Sequence, residues 1–171
     1  MVTLTVQEKG WISQLESNNP ADVMIAIKEI RHHGNIRILP YLFRLMKPST
    51  HEAIRESILM LISELKTQEA VPVIVSILEQ ADRGRDFTRL VAACWQSGLN
   101  FSGHIPVFIR IFVDCDYQTA VEAFSVIEES IMNVDATIQK SCLQLLQESA
   151  ARVSKEKYPL YRELVKVVSG E

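Results

Sequence analysis

The chain has 171 residues and a formal net charge of −3, with 47% hydrophobic and 23% charged residues. This composition argues against long disordered regions, because enough apolar surface is available to form a core. Basic and acidic residues are mixed along the whole sequence, so a polycationic surface for nucleic acid or anionic lipid is not expected.

An N-terminal helix is the first predicted element. Thr5 and Glu8 have the spacing of a capping box, in which each side chain hydrogen-bonds to the backbone of the other residue. Apolar residues follow this pair at helical spacing. We therefore predict a helix within residues 1–18 that caps one end of the domain.

The first helical hairpin follows this cap. Asn19 as the N-cap and Pro20 in the first turn predict the start of its first helix. Gly34 is expected to end that helix in a left-handed conformation, which glycine adopts without steric cost. The partner helix is predicted from Asn35 to Lys47, so that two antiparallel helices are joined by a tight turn.

Three more hairpins are predicted further along the chain. In the second, Ser49 and Glu52 form another capping-box pattern, and Thr67 is expected to cap the partner helix. No segment alternates between apolar and polar residues for long enough to predict a strand. The predicted helices are 49–66 and 68–81 in the second hairpin, 86–97 and about 103–113 in the third, and 116–132 and 135–152 in the fourth, with a closing helix at 158–168.

An apolar segment that contains a proline recurs at a nearly constant interval. ILPYLFRLM at 38–46 returns as AVPVIVSIL at 70–78 and as HIPVFIRIF at 104–112. The three prolines are 32 and then 34 residues apart, and a further step of 34 residues reaches Lys140, in a segment with the apolar pattern but no proline. Such an interval is typical of helical repeats. Since proline is tolerated only in the first turn, it marks the start of the second helix in each hairpin.

Aligning the four copies on this proline separates apolar positions from one polar position. The second, third, fifth and sixth residues after the proline are apolar in every copy, whereas the fourth is always polar. A wide apolar stripe with one polar line is typical of a helix that packs against its partner and against both neighbouring hairpins. The polar position is occupied by Arg44, Ser76, Arg110 and Gln144.

The period, the prolines Pro40, Pro72 and Pro106 and the apolar positions together resemble the HEAT-repeat family and the related armadillo type. The resemblance covers roughly residues 20–152. It implies an all-α fold, a right-handed α-α solenoid of about four helical hairpins with capping helices. In this arrangement the hairpins occupy residues 19–152, and residues 1–18 and 153–171 form the N-terminal and C-terminal cap helices of a single domain.

The cysteines and the N-terminus bear on the cellular compartment. Cys94, Cys115 and Cys142 are odd in number and widely spaced, which does not suit a disulfide framework and fits a reducing compartment. We expect Cys94 and Cys142 to pack in the core as small apolar residues. The N-terminus lacks a secretory signal pattern, and no apolar run is long enough to span a membrane, so a cytoplasmic location is predicted.

Patterns that carry chemistry are weak in this sequence. His32, His33, His51 and His104 do not form the HExxH or HxxxH spacing of a helical metal site. The segment 114–116, Asp-Cys-Asp, could offer ligands, but a helix end followed by an N-cap aspartate explains it better. No nucleophile motif or phosphate-binding loop is present. The sequence therefore predicts no catalytic residue, no metal and no cofactor.

The resemblance implies a function in binding rather than in catalysis. Stacked second helices of such repeats line a concave surface that binds proteins or peptides, so we predict a non-catalytic scaffold or adaptor with another protein or peptide as its partner. Nucleic acid and membranes are not expected as partners. Two alternatives remain open, namely a HEAT-like enzyme such as an alkylpurine DNA glycosylase and a bilin-lyase-like repeat protein.

The candidate partner-binding residues come from the polar position and from one long loop. The first group contains residues at the polar position of the repeated segment and the neighbours of Arg44 on the same side of its helix. The second candidate is an aromatic residue in the long loop 98–103, because loops of unusual length often carry function. An apolar stretch in the C-terminal helix, Leu164, Val165, Val167 and Val168, suggests a homodimer surface. The candidate partner-binding residues are Tyr41, Arg44, Lys47, Phe101, Arg110 and Gln144.

Overall fold

The computed structural model describes residues 4–170, and this part of the chain contains ten α-helices and no β-strand. The predicted all-α class is therefore confirmed. Residues 1–3 and 171, at the outer ends of the two predicted cap segments, lie outside the described residues. The helices are α1 Val6–Leu15, α2 Pro20–His33, α3 Leu39–Phe43, α4 Glu52–Ser63, α5 Ala70–Gln80, α6 Arg85–Ser97, α7 Ile105–Asp114, α8 Tyr117–Ile131, α9 Ala136–Ser149 and α10 Tyr158–Ser169.

Several predicted helix starts are confirmed by hydrogen bonds. The Glu8 amide donates to Thr5 Oγ1 at 3.2 Å, and the Thr5 amide donates to the Glu8 carboxylate at 2.6 Å, which completes the capping box. Asn19 Oδ1 accepts from the Ala21 amide at 3.0 Å. These bonds satisfy amides that the first helical turn leaves free.

Two other predicted caps are wrong. Helix α4 begins at Glu52 after His51, which makes no side-chain cap, and Ser49 lies in the preceding turn. Helix α5 begins at Ala70, and the Ala70 amide donates to the Thr67 backbone carbonyl rather than to its hydroxyl. At α5 a backbone turn thus supplies the bond that the Thr67 side chain was expected to provide.

Gly34 ends α2 as predicted, but for a different physical reason. Its φ of −73° is an ordinary extended value and not left-handed. A Cβ atom at this position would lie 2.5 Å from the Ile30 carbonyl oxygen. Glycine is therefore required by the close approach of the backbone, and not by its freedom to adopt positive φ.

Helix α3 is much shorter than the predicted helix of residues 35–47. A 3-10 turn at Ile36–Ile38 leads into α3, which ends at Phe43, three residues after Pro40. Helices α5 and α7, which carry the equivalent prolines, continue to Gln80 and Asp114. The first copy of the repeated segment thus loses its last helical turns.

The helices pack in an alternating order. Each even-numbered helix contacts the next even-numbered one, from α2 through α4, α6 and α8 to α10. Among the odd-numbered helices, α1 contacts α3, α3 contacts α5, and α7 contacts α9. The two sets meet at α1 with α2, α5 with α6, α7 with α8 and α9 with α10, and the buried side chains form one continuous core cluster.

The apolar positions of the repeated segment point into this core. The second residue after the proline is fully buried in every copy, and the sixth is buried in the last three copies and half-buried in the first. Cys94 and Cys142 are buried as predicted. The fully buried residues at the second position are Leu42, Ile74, Phe108 and Cys142.

A buried carboxylate fastens the N-terminal helix. Glu8 is only 2% exposed, accepts hydrogen bonds from the Thr5 amide and from Asn35 Nδ2 at 2.5 Å, and forms an ion pair with Arg37 Nη2 at 2.9 Å. The bond from Asn35, followed by that from the Thr5 backbone, lowers the pKa of the Glu8 carboxyl. Glu8 therefore joins α1 to the segment between α2 and α3.

A buried lysine fastens the C-terminal helix. Lys157 is 3% exposed, and its Nζ donates to the carbonyls of Phe112, Val113 and Cys115 at 2.8, 2.7 and 2.8 Å. These carbonyls lie at the end of α7, where a positive charge is favoured by the helix dipole. Burial lowers the pKa of Lys157, although nearby acidic groups oppose that shift.

Replacing Lys157 by Met should destabilise the fold. Met preserves most of the side-chain volume, but three buried carbonyls lose their donor, so we expect the free energy of unfolding to fall by about 1–3 kcal/mol. Urea denaturation followed by circular dichroism measures this change. The matched control is Lys155→Met, because Lys155 is exposed in the same turn and should change stability by less than about 0.5 kcal/mol. Equal effects of the two substitutions would contradict the assigned role.

Replacing Glu8 by Gln should change how stability depends on pH. The pKa of Glu8 is lower in the folded state, so the stability it contributes is present near neutral pH and is lost as the pH falls below about 5. The difference in melting temperature between wild type and Glu8→Gln should therefore shrink as the solution is acidified. Glu128→Gln, at an exposed position on α8, provides the control. A difference that is constant from neutral to acidic pH would rule out this contribution.

Candidate partner-binding surface

The polar position of the repeated segment is exposed in all four copies. Arg44 follows the end of α3, Ser76 lies on α5, Arg110 on α7 and Gln144 on α9. Their exposure agrees with the pattern read from the sequence. We call these four residues the polar column, and its role in binding a partner stays a prediction.

The members of the polar column differ in their existing contacts. Arg110 Nη2 lies 3.9 Å from Glu79 Oε1 on α5, and both side chains are about half exposed at 51% and 53%. Gln144 Nε2 donates to Glu148 Oε1 at 2.8 Å within α9. Exposed contacts of this kind contribute little to stability, so these side chains can exchange them for contacts with a partner.

Arg44 has a different environment. Its guanidinium carbon lies 5.0 Å from the centre of the Tyr41 ring, in a cation–π arrangement one helical turn away. Within the described chain no carboxylate lies at ion-pair distance from Arg44. The structure thus brings two of the predicted candidates together and leaves the charge of Arg44 available.

Tyr41, Arg44 and Lys47 line an open cleft of about 310 Å³. A second cleft of about 460 Å³ shares four of its lining residues and extends it towards His51 and Ile54. We call the two together the N-terminal groove. Its other lining residues are Ile12, Leu15, Glu16, Ser17, Asn18, Pro20, Val23, Leu45, Ser49 and Thr50.

The early end of α3 explains where the groove lies. Residues 44–47 form turns instead of continuing the helix, and they face the end of α1 and the turn that follows it. Pro48 in addition disfavours helical conformation at Lys47, the residue that precedes it. The sequence interpretation placed Lys47 at the end of a full helix and therefore missed the groove.

Phe101 is not a surface residue, which corrects its place among the candidates. Its side chain is fully buried and packs edge-on against Phe108, with ring centres 5.3 Å apart. The Phe101 amide donates to Ser130 Oγ at 3.1 Å, and the Asn100 amide donates to Gln68 Oε1 at 3.0 Å. Leu99 and Phe101 of the long loop 98–103 are therefore part of the core, and the aromatic residue cannot contact a partner in this fold.

The apolar stretch of the C-terminal helix is also used within the chain. Leu164 and Val168 are fully buried, and Val165 and Val167 are half-buried against the core. Gln139 Nε2 donates to the Val168 carbonyl at 2.9 Å and fixes the end of α10 against α9. Leu164 and Val168 are therefore not available for contact with a second copy, and the homodimer that the sequence suggested stays a prediction.

The residues of segment 114–116 each have a separate role. Asp116 caps α8, and the bond from the Thr119 amide at 2.8 Å lowers the pKa of its carboxyl. Asp114 pairs with Arg152. Burial raises the pKa of the Cys115 thiol, which lies 3.3 Å from Arg83 Nη1. The N-cap explanation of this segment is confirmed, and residues 4–170 contain no cluster of three or more side chains suited to a metal.

None of the helices described is both long enough and apolar enough to cross a membrane. Comparison of the sequence with protein-family models found no matching family, and a search of curated proteins found no match.

Proposed function

We propose that residues 19–152 form a right-handed α-α solenoid of about four HEAT-like hairpins closed by end helices. Polar contacts between residues about one period apart support this arrangement. Arg55 Nε lies 2.7 Å from Asp86 Oδ2, 31 positions further on, and the hydroxyls of Thr88 and Thr119 lie 2.6 Å apart with the same separation. Contacts repeated at one period are expected where equivalent elements of neighbouring repeats stack.

We further propose that the chain is a non-catalytic scaffold or adaptor that binds a protein or peptide. The polar column is the observation that carries this proposal. It places exposed side chains at equivalent positions directly after α3 and on α5, α7 and α9, while neighbouring positions of the repeated segment serve the core. A row of helices with such side chains provides an extended binding face. Because its backbone is already ordered, little conformational entropy is lost when a partner binds.

The charges around this face favour a protein partner over nucleic acid. Arg110 has Glu79 beside it, and the chain as a whole carries a net charge of −3. Affinity for nucleic acid depends on neutralising many phosphates with unpaired basic side chains. A protein surface, by contrast, needs only locally complementary charges.

Reversing the charge of Arg44 and Arg110 should remove the partner and leave the fold intact. We expect Arg44→Glu with Arg110→Glu to retain the wild-type circular dichroism spectrum and elution volume, because both side chains are exposed. Proteins captured from native lysate by the wild type, and quantified by mass spectrometry, should be lost from the double variant.

The matched control for this experiment is Lys28→Glu with Arg162→Glu. Both residues are exposed, lie outside the polar column and change the net charge by the same amount. The control should retain the partners. Identical recovery with wild type and the Arg44 and Arg110 variant would exclude this face as the binding surface.

A further inference from the structure

We propose that the N-terminal groove binds a short acidic segment of a protein partner, with carboxylates at Arg44 and Lys47 and an apolar side chain in the cleft. This inference rests on the proposed function and adds the site and the chemistry of the ligand. Three features of the groove support it, namely the charge of its lining residues, the Arg44 guanidinium without a carboxylate partner in the described chain, and the aliphatic side chains among the lining residues.

The charge of the groove favours an anionic ligand. Arg44, Lys47 and His51 line its two clefts, and Glu16 is the acidic residue among the lining side chains. The protein as a whole has more acidic than basic residues. The groove is therefore a local basic region on an acidic chain, which steers an acidic segment to this place and disfavours a basic one.

Arg44 differs from most of the described arginines in having no carboxylate partner. Lys47 likewise has no partner at ion-pair distance in the described chain. A ligand carboxylate would therefore form these contacts without breaking an internal ion pair. The arginines that do pair with a carboxylate are Arg31, Arg37, Arg55, Arg89, Arg110 and Arg152.

Tyr41 limits the freedom of the Arg44 side chain. The ring lies 5.0 Å from the guanidinium carbon and covers one face of the group. The planar group can still donate two parallel hydrogen bonds from its edge to a carboxylate. Because part of the side-chain entropy is already lost, binding costs less than it would for a free arginine.

Three aliphatic side chains are among the nine residues that line the smaller cleft. Ile12, Leu15 and Leu45 line it, and its volume of about 310 Å³ lies at the lower end of the range for ligand pockets. That space suits one or two side chains of a peptide. In a peptide with an aliphatic or aromatic residue next to an acidic one, the first would contact the aliphatic lining residues and the second would pair with Arg44 or Lys47.

Selection from a random twelve-residue peptide library displayed on phage tests this inference on the full chain. Enriched peptides should share Asp or Glu beside a Leu, Ile, Phe or Tyr residue. Their dissociation constants are then measured by fluorescence polarisation with synthetic peptides. We expect Arg44→Glu with Lys47→Glu to weaken binding by about tenfold or more, and added salt to weaken it for the wild type.

Arg162→Glu with Lys140→Glu is the matched control, because both residues are exposed on other helices and the net charge changes equally. It should bind the peptides as the wild type does. Enriched peptides that lack acidic residues, or that respond equally to both double variants, would overturn the assigned groove but leave the proposed binding function standing. If no peptide is enriched and lysate capture also recovers no partner, both proposals fail.

Discussion

The fold depends on apolar helix faces that no single hairpin can cover by itself. Leu42, Ile74, Phe108 and Cys142 occupy the same position of the repeated segment and are all fully buried. They lie on different helices, and the core they share extends through the described chain without interruption. The burial of each copy thus depends on the neighbouring helices, which is the energetic condition for an array of stacked units.

The helices at both ends of the described chain are held to their neighbours by buried charged side chains. Glu8 joins α1 to the segment between α2 and α3, and Lys157 joins the start of α10 to the end of α7. A buried charge is stabilising only when hydrogen bonds replace its lost hydration. Glu8 and Lys157 therefore also restrict how the end helices can dock, because a shifted helix would leave the charge without partners.

The sequence predicted the helices well because they follow from local patterns. The all-α class, the caps at Thr5, Asn19 and Asp116 and the polar column could be read from spacing alone. Contacts between residues that are far apart in the sequence could not be predicted in this way. The roles of Glu8 and Lys157 depend on which hydrogen-bonding groups the fold brings next to them. Glutamate and lysine are usually exposed surface residues, so the sequence alone does not reveal that these two are buried.

The groove is located where the regular pattern of the helices fails. Phe101 was expected to be functional because its loop is long, yet its side chain is packed in the core. Helix α3 was expected to match its equivalents, yet it ends at Phe43 and leaves Arg44 beside an open cleft. A longer loop can place its aromatic residue in the core, whereas residues 44–47, which form turns instead of helix, border an open cleft. The binding site that we propose therefore lies at a shortened helix and not at a lengthened loop.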